Sequence, residues 1–267
     1  MTMPAAPLDI AAVNRYIALA EACADAAGAV LAHYFRKSFT IDTKADATPV
    51  TIADRDAEIA MRALLNDAEP GHGILGEELG RTNPDAEFTW VLDPIDGTKS
   101  FITGKPTFGI LVCLARAGRP IIGVIDQPII HERWIGALGK ASTFNGKPAR
   151  VRPCPRLSDA ILYTTSPYLF PDGDEAGFHR LRERVNHALY GGDCYSYGLL
   201  ASGHADIVVE SGLKPYDYAA LVPVIEGAGG VITDWNGRAL TLASDGRVLA
   251  AGDPVLHRAA LEILQSG

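Results

Sequence analysis

The chain has 267 residues, 48% of them hydrophobic and 21% charged, the balance of a globular protein with a substantial interior, built as one large domain or as two lobes sharing a core. Its 24 basic and 32 acidic residues leave a net charge of −8, which argues against a nucleic-acid binder, because that function needs a basic surface. An anionic small-molecule substrate stays compatible, since bound metal cations reverse the local field.

The opening Met1-Thr2-Met3-Pro4 lacks a basic n-region, and the Ala-rich run after it carries Asp9, Arg15, Glu21 and Asp25. Neither a signal peptide nor a membrane span is expected here, and no other stretch approaches a spanning length of uncharged apolar residues. Ile10, Val13, Ile17, Leu19 and Val30 predict an amphipathic helix over about 8–34. The polar segment 39–51, with Lys44, Asp46 and Pro49, predicts a loop or weak hairpin, and a second helix follows over about 52–65. After the turn at Pro70-Gly71-His72-Gly73 a short strand, 74–76, delivers Glu77 and Glu78, and a strand over 89–92 delivers Asp93. Segments 108–115 and 120–126 predict a hairpin around Gly118, with a further strand over 133–138 and a turn at Asn145-Gly146. Pro153 and Pro155 mark a join between lobes, at about 1–150 and 151–267 of a single unit. Beyond it the pattern predicts a strand over 161–165, a helix over 176–189, a short helix over 195–202 and a strand over 207–210. A helix after Asp217 should be kinked or restarted by Pro223 and end at Gly229-Gly230. Strands over 231–234 and 248–251 and a helix over 257–264 close the chain. Mixed sheets layered with helices, an α/β arrangement, are the expected class.

The four cysteines, Cys23, Cys113, Cys154 and Cys194, form no C-x-x-C pair, so neither a zinc cluster nor a disulfide framework is expected and a reducing cytoplasm fits. Cys194 has no base nearby in sequence and reads as a small semi-apolar residue rather than a nucleophile. The seven histidines are scattered, without H-x-H or H-E-x-x-H, which gives zinc catalysis little support.

The most informative stretch is Trp90-Val91-Leu92-Asp93-Pro94-Ile95-Asp96-Gly97-Thr98. Asp-Pro and Asp-Gly are common in plain turns. Here, however, two carboxylates stand three residues apart where an apolar strand ends, followed by a Gly-Thr pair able to present N–H groups and a hydroxyl. Hard divalent cations want oxygen ligands, and phosphoryl chemistry wants such cations beside donors for phosphate oxygens. Asp54, Glu77, Asp93, Asp96 and Asp217 all fall at element ends, where ligands bind in α/β layouts. If the strands ending at Glu77 and Asp93 are neighbours, their carboxylates meet at one edge. Asp217 opens a helix and reads equally as an N-cap. So many acids in one pocket would repel one another without cations.

Asp93-Pro94-Ile95-Asp96-Gly97-Thr98, the preceding Gly76-Glu77-Glu78, and Asp217 followed by Glu226-Gly227-Ala228-Gly229-Gly230 resemble the inositol monophosphatase family over nearly the whole chain. The resemblance implies a layered αβαβα sandwich and a phosphomonoesterase using two or three magnesium ions, commonly a homodimer. It implies one metal on Glu77, Asp93 and the Ile95 carbonyl, and a second on Asp93, Asp96 and Asp217. Gly97 and Thr98 would bind phosphate, with the Thr98 hydroxyl aligning the attacking water and Asp54 hydrogen-bonding that threonine. Glu77, Thr98 and Asp54 are thus the implied catalytic residues, acting by in-line attack of a metal-activated water. Lys44, in the family's mobile loop, reads equally as a phosphate contact or a solvated side chain.

The second motif departs from the family's usual Trp-Asp-x-Ala-Ala-Gly, reading Tyr216-Asp217-Tyr218-Ala219-Ala220-Leu221. The runs 192–200, 209–217 and 42–51 are similar to the histidinol-phosphate phosphatase branch. Histidinol phosphate carries an ammonium and an imidazole, so its pocket should offer carboxylates outside the metal cage. Asp193 and Glu210 are the candidates, although Asp193 in a Gly-Asp loop also reads as a cap. The expected activity is hydrolysis of L-histidinol phosphate in histidine biosynthesis. The alternatives are a phosphatase of inositol, sugar or nucleotide phosphates, and a non-catalytic metal-dependent binding protein.

Overall fold

The computed structural model describes residues 8–37, 41–43, 49–171 and 173–266. Two sheets carry the fold. The first has eight strands, in the spatial order Lys147–Pro148, Thr143–Phe144, Glu132–Ala137, Arg119–Gln127, Gly109–Arg116, Phe88–Asp96, Gly73–Gly76 and Gly80–Thr82. The second has five: His187–Tyr190, Ile161–Thr164, Ile207–Glu210, Val248–Ala251 and Val231–Thr233.

Strand alternation explains the layering. Trp90, Leu92, Ile110, Val112 and Val124 project to one face of the first sheet, where they meet Ala20, Leu31, Met61 and Leu65 of the helices Ile10–Tyr34 and Ile52–Ala68. Their neighbours Val91, Leu111, Cys113 and Ile125 project to the other face, against Leu200, Leu221 and Val224 of the helices Tyr195–Ala201 and Leu221–Gly227. The second sheet repeats the division. Val208, Val248 and Ala250 join that same middle layer, whereas Ile207, Val209, Leu249 and Ala251 pack on Phe178, Leu181, Leu256 and Ala260 of the helices Asp174–Arg182 and Pro254–Gln265. A period of two within each strand thus yields an α–β–α–β–α stack, the expected class. Gly123 and Gly136 let the middle helices approach the first sheet, since an added Cβ would lie 1.9 Å from the Ala220 carbonyl oxygen and 2.2 Å from that of Pro223. Among the described residues no helix is long and apolar enough to cross a membrane.

The hairpin turns stand where expected, at Ala117-Gly118 and Asn145-Gly146, all four with positive φ. One predicted helix is shorter than expected. The predicted helix over 176–189 ends at Arg182, and His187–Tyr190 forms an edge strand parallel to Ile161–Thr164. Four residues with one parallel neighbour have little local signal, and the pairing is a tertiary effect. As expected, the helical segment around Asp217 restarts, as Pro215–Tyr218 and then Leu221–Gly227. The break falls just ahead of Pro223, which therefore sits in the first turn of a new helix, where its missing N–H costs nothing.

Candidate active site

The site begins with a ladder irregularity. Asp93 lies opposite Leu111 and Asp96 opposite Gly109, so three steps on one strand face two on its partner. Side chains three apart on a regular strand point to opposite faces; the bulge re-aims one of them, so that Asp93 and Asp96 converge. On the other side, Gly73–Gly76 runs parallel to this strand with Gly76 opposite Leu92, and the Glu77 N–H continues the ladder to the Leu92 carbonyl at 3.1 Å. Glu77 and Asp93 therefore leave the sheet at one edge. The third contributor comes from the second half of the chain. Asp217 accepts the Lys214 N–H at 2.6 Å, capping its own short helix, and reaches the same cluster. The carboxylate thus caps a helix and joins the acid cluster at once. Oxygens of Asp93, Asp96 and Asp217 all lie within 4.8 Å of one another.

The electrostatics follow from that crowding. Burial, and then the charges of Glu77, Asp96 and Asp217, push the Asp93 carboxyl well above the ordinary carboxylate range. Burial, followed by Asp193 and Asp217, does the same to Asp96. Asp217 is pushed up to about 7, chiefly by burial, with Glu77 adding to it and the Lys214 N–H opposing it. An all-oxygen donor set whose members repel one another fits a hard divalent cation, which would relieve both the burial and the repulsion.

Beside the acids, Gly97 adopts a left-handed conformation at φ +85° and starts the short helix Thr98–Ile102. The Thr98 hydroxyl donates to the Ile95 carbonyl at 3.2 Å, and the Ile95 N–H donates to Asp93 Oδ1 at 3.0 Å. This turn is clasped from the second half of the chain. Asp193 packs on Gly97 so closely that an added Cβ would lie 2.6 Å from Asp193 Cγ. Its Oδ2 accepts the Ser100 hydroxyl at 2.5 Å and that of Thr107 at 3.2 Å. The next residue, Cys194, donates its backbone N–H to Asp96 Oδ2 at 2.6 Å. Burial pushes the Asp193 carboxyl up, against the pull of those two hydroxyls and of Lys105 and Lys99.

Glu210 ends the strand Ile207–Glu210 and is 5% exposed. It accepts the Thr165 N–H at 2.6 Å and the Thr164 hydroxyl at 3.2 Å, and burial pushes it up to about 7 despite them, with Asp193 adding to the shift. Burial pushes the Tyr197 hydroxyl well up, and the charges of Glu210, Asp96 and Asp217 add to it. Tyr197 Oη and Ser196 Oγ are buried polar atoms with no hydrogen-bond partner among the described residues.

One expected contact is corrected. Asp54 is 1% exposed, but its Oδ2 accepts from the N–H and the hydroxyl of Thr51, at 2.8 and 2.7 Å, in a capping box at the start of Ile52–Ala68. No bond joins it to Thr98 among the described residues. The Thr51 donors three residues away hold Oδ2, closing the first turn of the helix. Burial pushes Asp54 up to about 6, and Glu77 contributes, so it does border the site. Lys44 lies outside the described residues. Sequence reasoning passed over Ser100 and Thr107, which look like ordinary loop hydroxyls, and over Glu58 and Arg62. The last two carried a signal: four-residue spacing from Asp54 puts all three on one helical face. A separate cleft of about 530 Å³, lined by Asp25, Asp126 and Arg133, lies against the first helix; there Arg133 is already taken by both acids, at 2.6 Å each.

The family model described as "Inositol monophosphatase family" matches residues 13–267. The chain belongs to the inositol monophosphatase family. It is 53% identical to the bifunctional phosphatase IMPL2, chloroplastic, of Arabidopsis thaliana, over 95% of this chain and 76% of that protein. It is 35% identical to a histidinol-phosphatase of Chlorobaculum parvum, over 87% of this chain and 90% of that one. Among solved structures, an inositol monophosphatase from Zymomonas mobilis superposes with a TM-score of 0.88 at 50% identity, covering 95% of this chain and 99% of the other. A phosphatase of this family, acting on small-molecule phosphate esters and using a divalent metal, accounts for the acidic cluster.

Proposed function

We propose that this protein is a magnesium-dependent phosphomonoesterase hydrolysing L-histidinol phosphate to L-histidinol and phosphate, as a step of histidine biosynthesis. The observation that carries the substrate choice is Glu210, a buried carboxylate outside the acid cluster whose donors among the described residues come from Thr164 and Thr165. A cationic substrate would supply the charge this acid lacks, and a charge-assisted hydrogen bond to an ammonium or imidazolium is stronger than one to a neutral hydroxyl. The histidinol-phosphatases among the relatives support the same choice.

In this reading Glu77, Asp93 and the Ile95 carbonyl would hold one ion, and Asp93, Asp96 and Asp217 would hold a second. Bound magnesium would supply charge neutralisation for the phosphate and acidity for a water. The chain's own residues do the rest. The N–H groups of Gly97 and Thr98 receive phosphate oxygens, meeting charge that spreads over them as the ester bond breaks. The Thr98 hydroxyl turns from the Ile95 carbonyl to orient the attacking water, with Glu77 beside it as acceptor. Asp54 acts on the site by fixing Thr51 and through its charge on Glu77. Glu210 and Asp193 receive the substrate's amine and ring; Lys44 is a further phosphate contact. The unit comprises two lobes, 1–150 and 151–267, and works as a cytoplasmic homodimer, which sedimentation velocity and cell fractionation would check.

The inositol-monophosphatase solved at 50% identity favours a second reading, an inositol 1-phosphate phosphatase with the same machinery. Phosphate release from L-histidinol phosphate and from inositol 1-phosphate, each with magnesium and with chelator, decides between them. Chelator-sensitive preference for histidinol phosphate is expected; preference for the inositol ester would remove the substrate assignment, and turnover of neither would overturn both.

A further inference from the structure

Glu58 is fully buried, at 0% exposure, in the helix Ile52–Ala68. A buried carboxylate persists only when its oxygens are satisfied. Glu58 Oε2 accepts the Glu78 N–H at 2.7 Å, and Oε1 accepts the Leu79 N–H at 3.2 Å and Arg62 Nε at 2.7 Å. Arg62 in turn donates to the Gly80 carbonyl. Gly76 is open to this carboxylate because an added Cβ would lie 1.9 Å from Glu58 Oε1. The turn that follows Glu77, from Glu78 to Gly80, is therefore held by one acid–base pair on a neighbouring helix, whose charges cancel within it.

We propose that Glu58 and Arg62 are positioning residues that preorganise Glu77 for metal before any metal arrives. Glu77 faces Asp93, Asp54 and Asp217, all of which feel its charge. Like charges would drive an unrestrained turn outward, away from the position a cation needs. The Glu58 carboxylate opposes this by holding the two N–H groups that follow Glu77, while the sheet holds the Glu77 N–H itself. The inference rests on Glu77 being a metal ligand.

The test is direct Mn²⁺ binding by calorimetry to the wild type and to Glu58→Gln, Arg62→Lys and Glu77→Gln. Partners behind metal ligands typically govern about 10–100-fold in affinity, and a loss of that size is expected for Glu58→Gln and Arg62→Lys with folded circular dichroism retained. Wild-type affinity in both, with Glu77→Gln weakened, would overturn the positioning role alone. Wild-type affinity in Glu77→Gln would overturn the ligand assignment beneath it. Should the Glu58 variant not fold, amide exchange in the wild type serves: Glu78 and Leu79 should be as protected without metal as with it, and protection gained only on adding Mn²⁺ would refute preorganisation.

Discussion

Replacing Glu210 by Gln separates stability from substrate reading in one variant. The carboxyl has an ordinary value of 4.5 and is pushed up to about 7 by burial. At about 1.4 kcal/mol per pH unit, ionising it inside the fold costs on the order of 3 kcal/mol relative to the unfolded chain. Its folded value is raised, so the native state holds the proton more tightly: the associated stability is fully present below pH 4.5 and is lost as pH rises through about 7. Gln keeps one oxygen for the Thr165 N–H, its amide N–H replaces the second oxygen and can donate to the Thr164 hydroxyl, and it carries no charge. In chelator, urea denaturation should show the variant gaining on the wild type by on the order of 2 kcal/mol between pH 5 and pH 8. With substrate the sign reverses, because the anion is then paired. Removing one partner of a buried charge pair costs about 2–5 kcal/mol, so kcat/KM for histidinol phosphate should fall about 30-fold or more while an aryl phosphate is spared. A stability gap that does not grow with pH would refute the burial reasoning, and equal losses on both esters would refute the substrate role.

Asp93→Asn should abolish magnesium-dependent turnover and metal-induced thermal stabilisation while leaving the metal-free fold intact; normal turnover would overturn the two-metal assignment. For Thr98→Ala, kcat should fall about 100-fold or more with metal affinity unchanged, and unaltered kcat in a steady-state assay would remove the water-orienting role. In Gly97→Ala, a left-handed alanine pressed on Asp193 should cost on the order of 2 kcal/mol or more, read by urea denaturation; a cost under about 0.5 kcal/mol would mean that this contact is loose.

Much of the site was legible because its chemistry is local. Asp93, Asp96, Gly97 and Thr98 are consecutive or nearly so, and Glu77 follows a strand whose neighbour could be guessed from apolar runs. The meeting of Asp217 with them was readable only through resemblance, since nothing local tells a cap from a ligand; the carboxylate caps its helix and also joins the acid cluster. The bulge that aligns Asp93 with Asp96 left no trace, because its cause is the pairing with Gly109–Arg116. The Asp54–Thr98 contact rested on the resemblance alone, and in the structure the neighbouring Thr51 holds that carboxylate instead. Asp193 was weighed as cap or substrate contact, and its hydroxyl partners Ser100 and Thr107 lie 93 and 86 residues away. The fold class followed from strand and helix periodicity, whereas the edge strand His187–Tyr190 did not, having one neighbour and mostly exposed residues.

The clasp of Cys194 on Asp96 spans 98 residues of chain, and Asp217 closes the cluster from 124 residues beyond Asp93 (217 − 93). Closing so long a loop is entropically costly, and a non-covalent bridge holds only while the fold brings its ends together. A cation seated between Asp93 and Asp217 would therefore be a staple of the folded chain as well as a reagent. The site would be among the last parts of the molecule to form during synthesis, completed only after both sheets have found their shared helical layer.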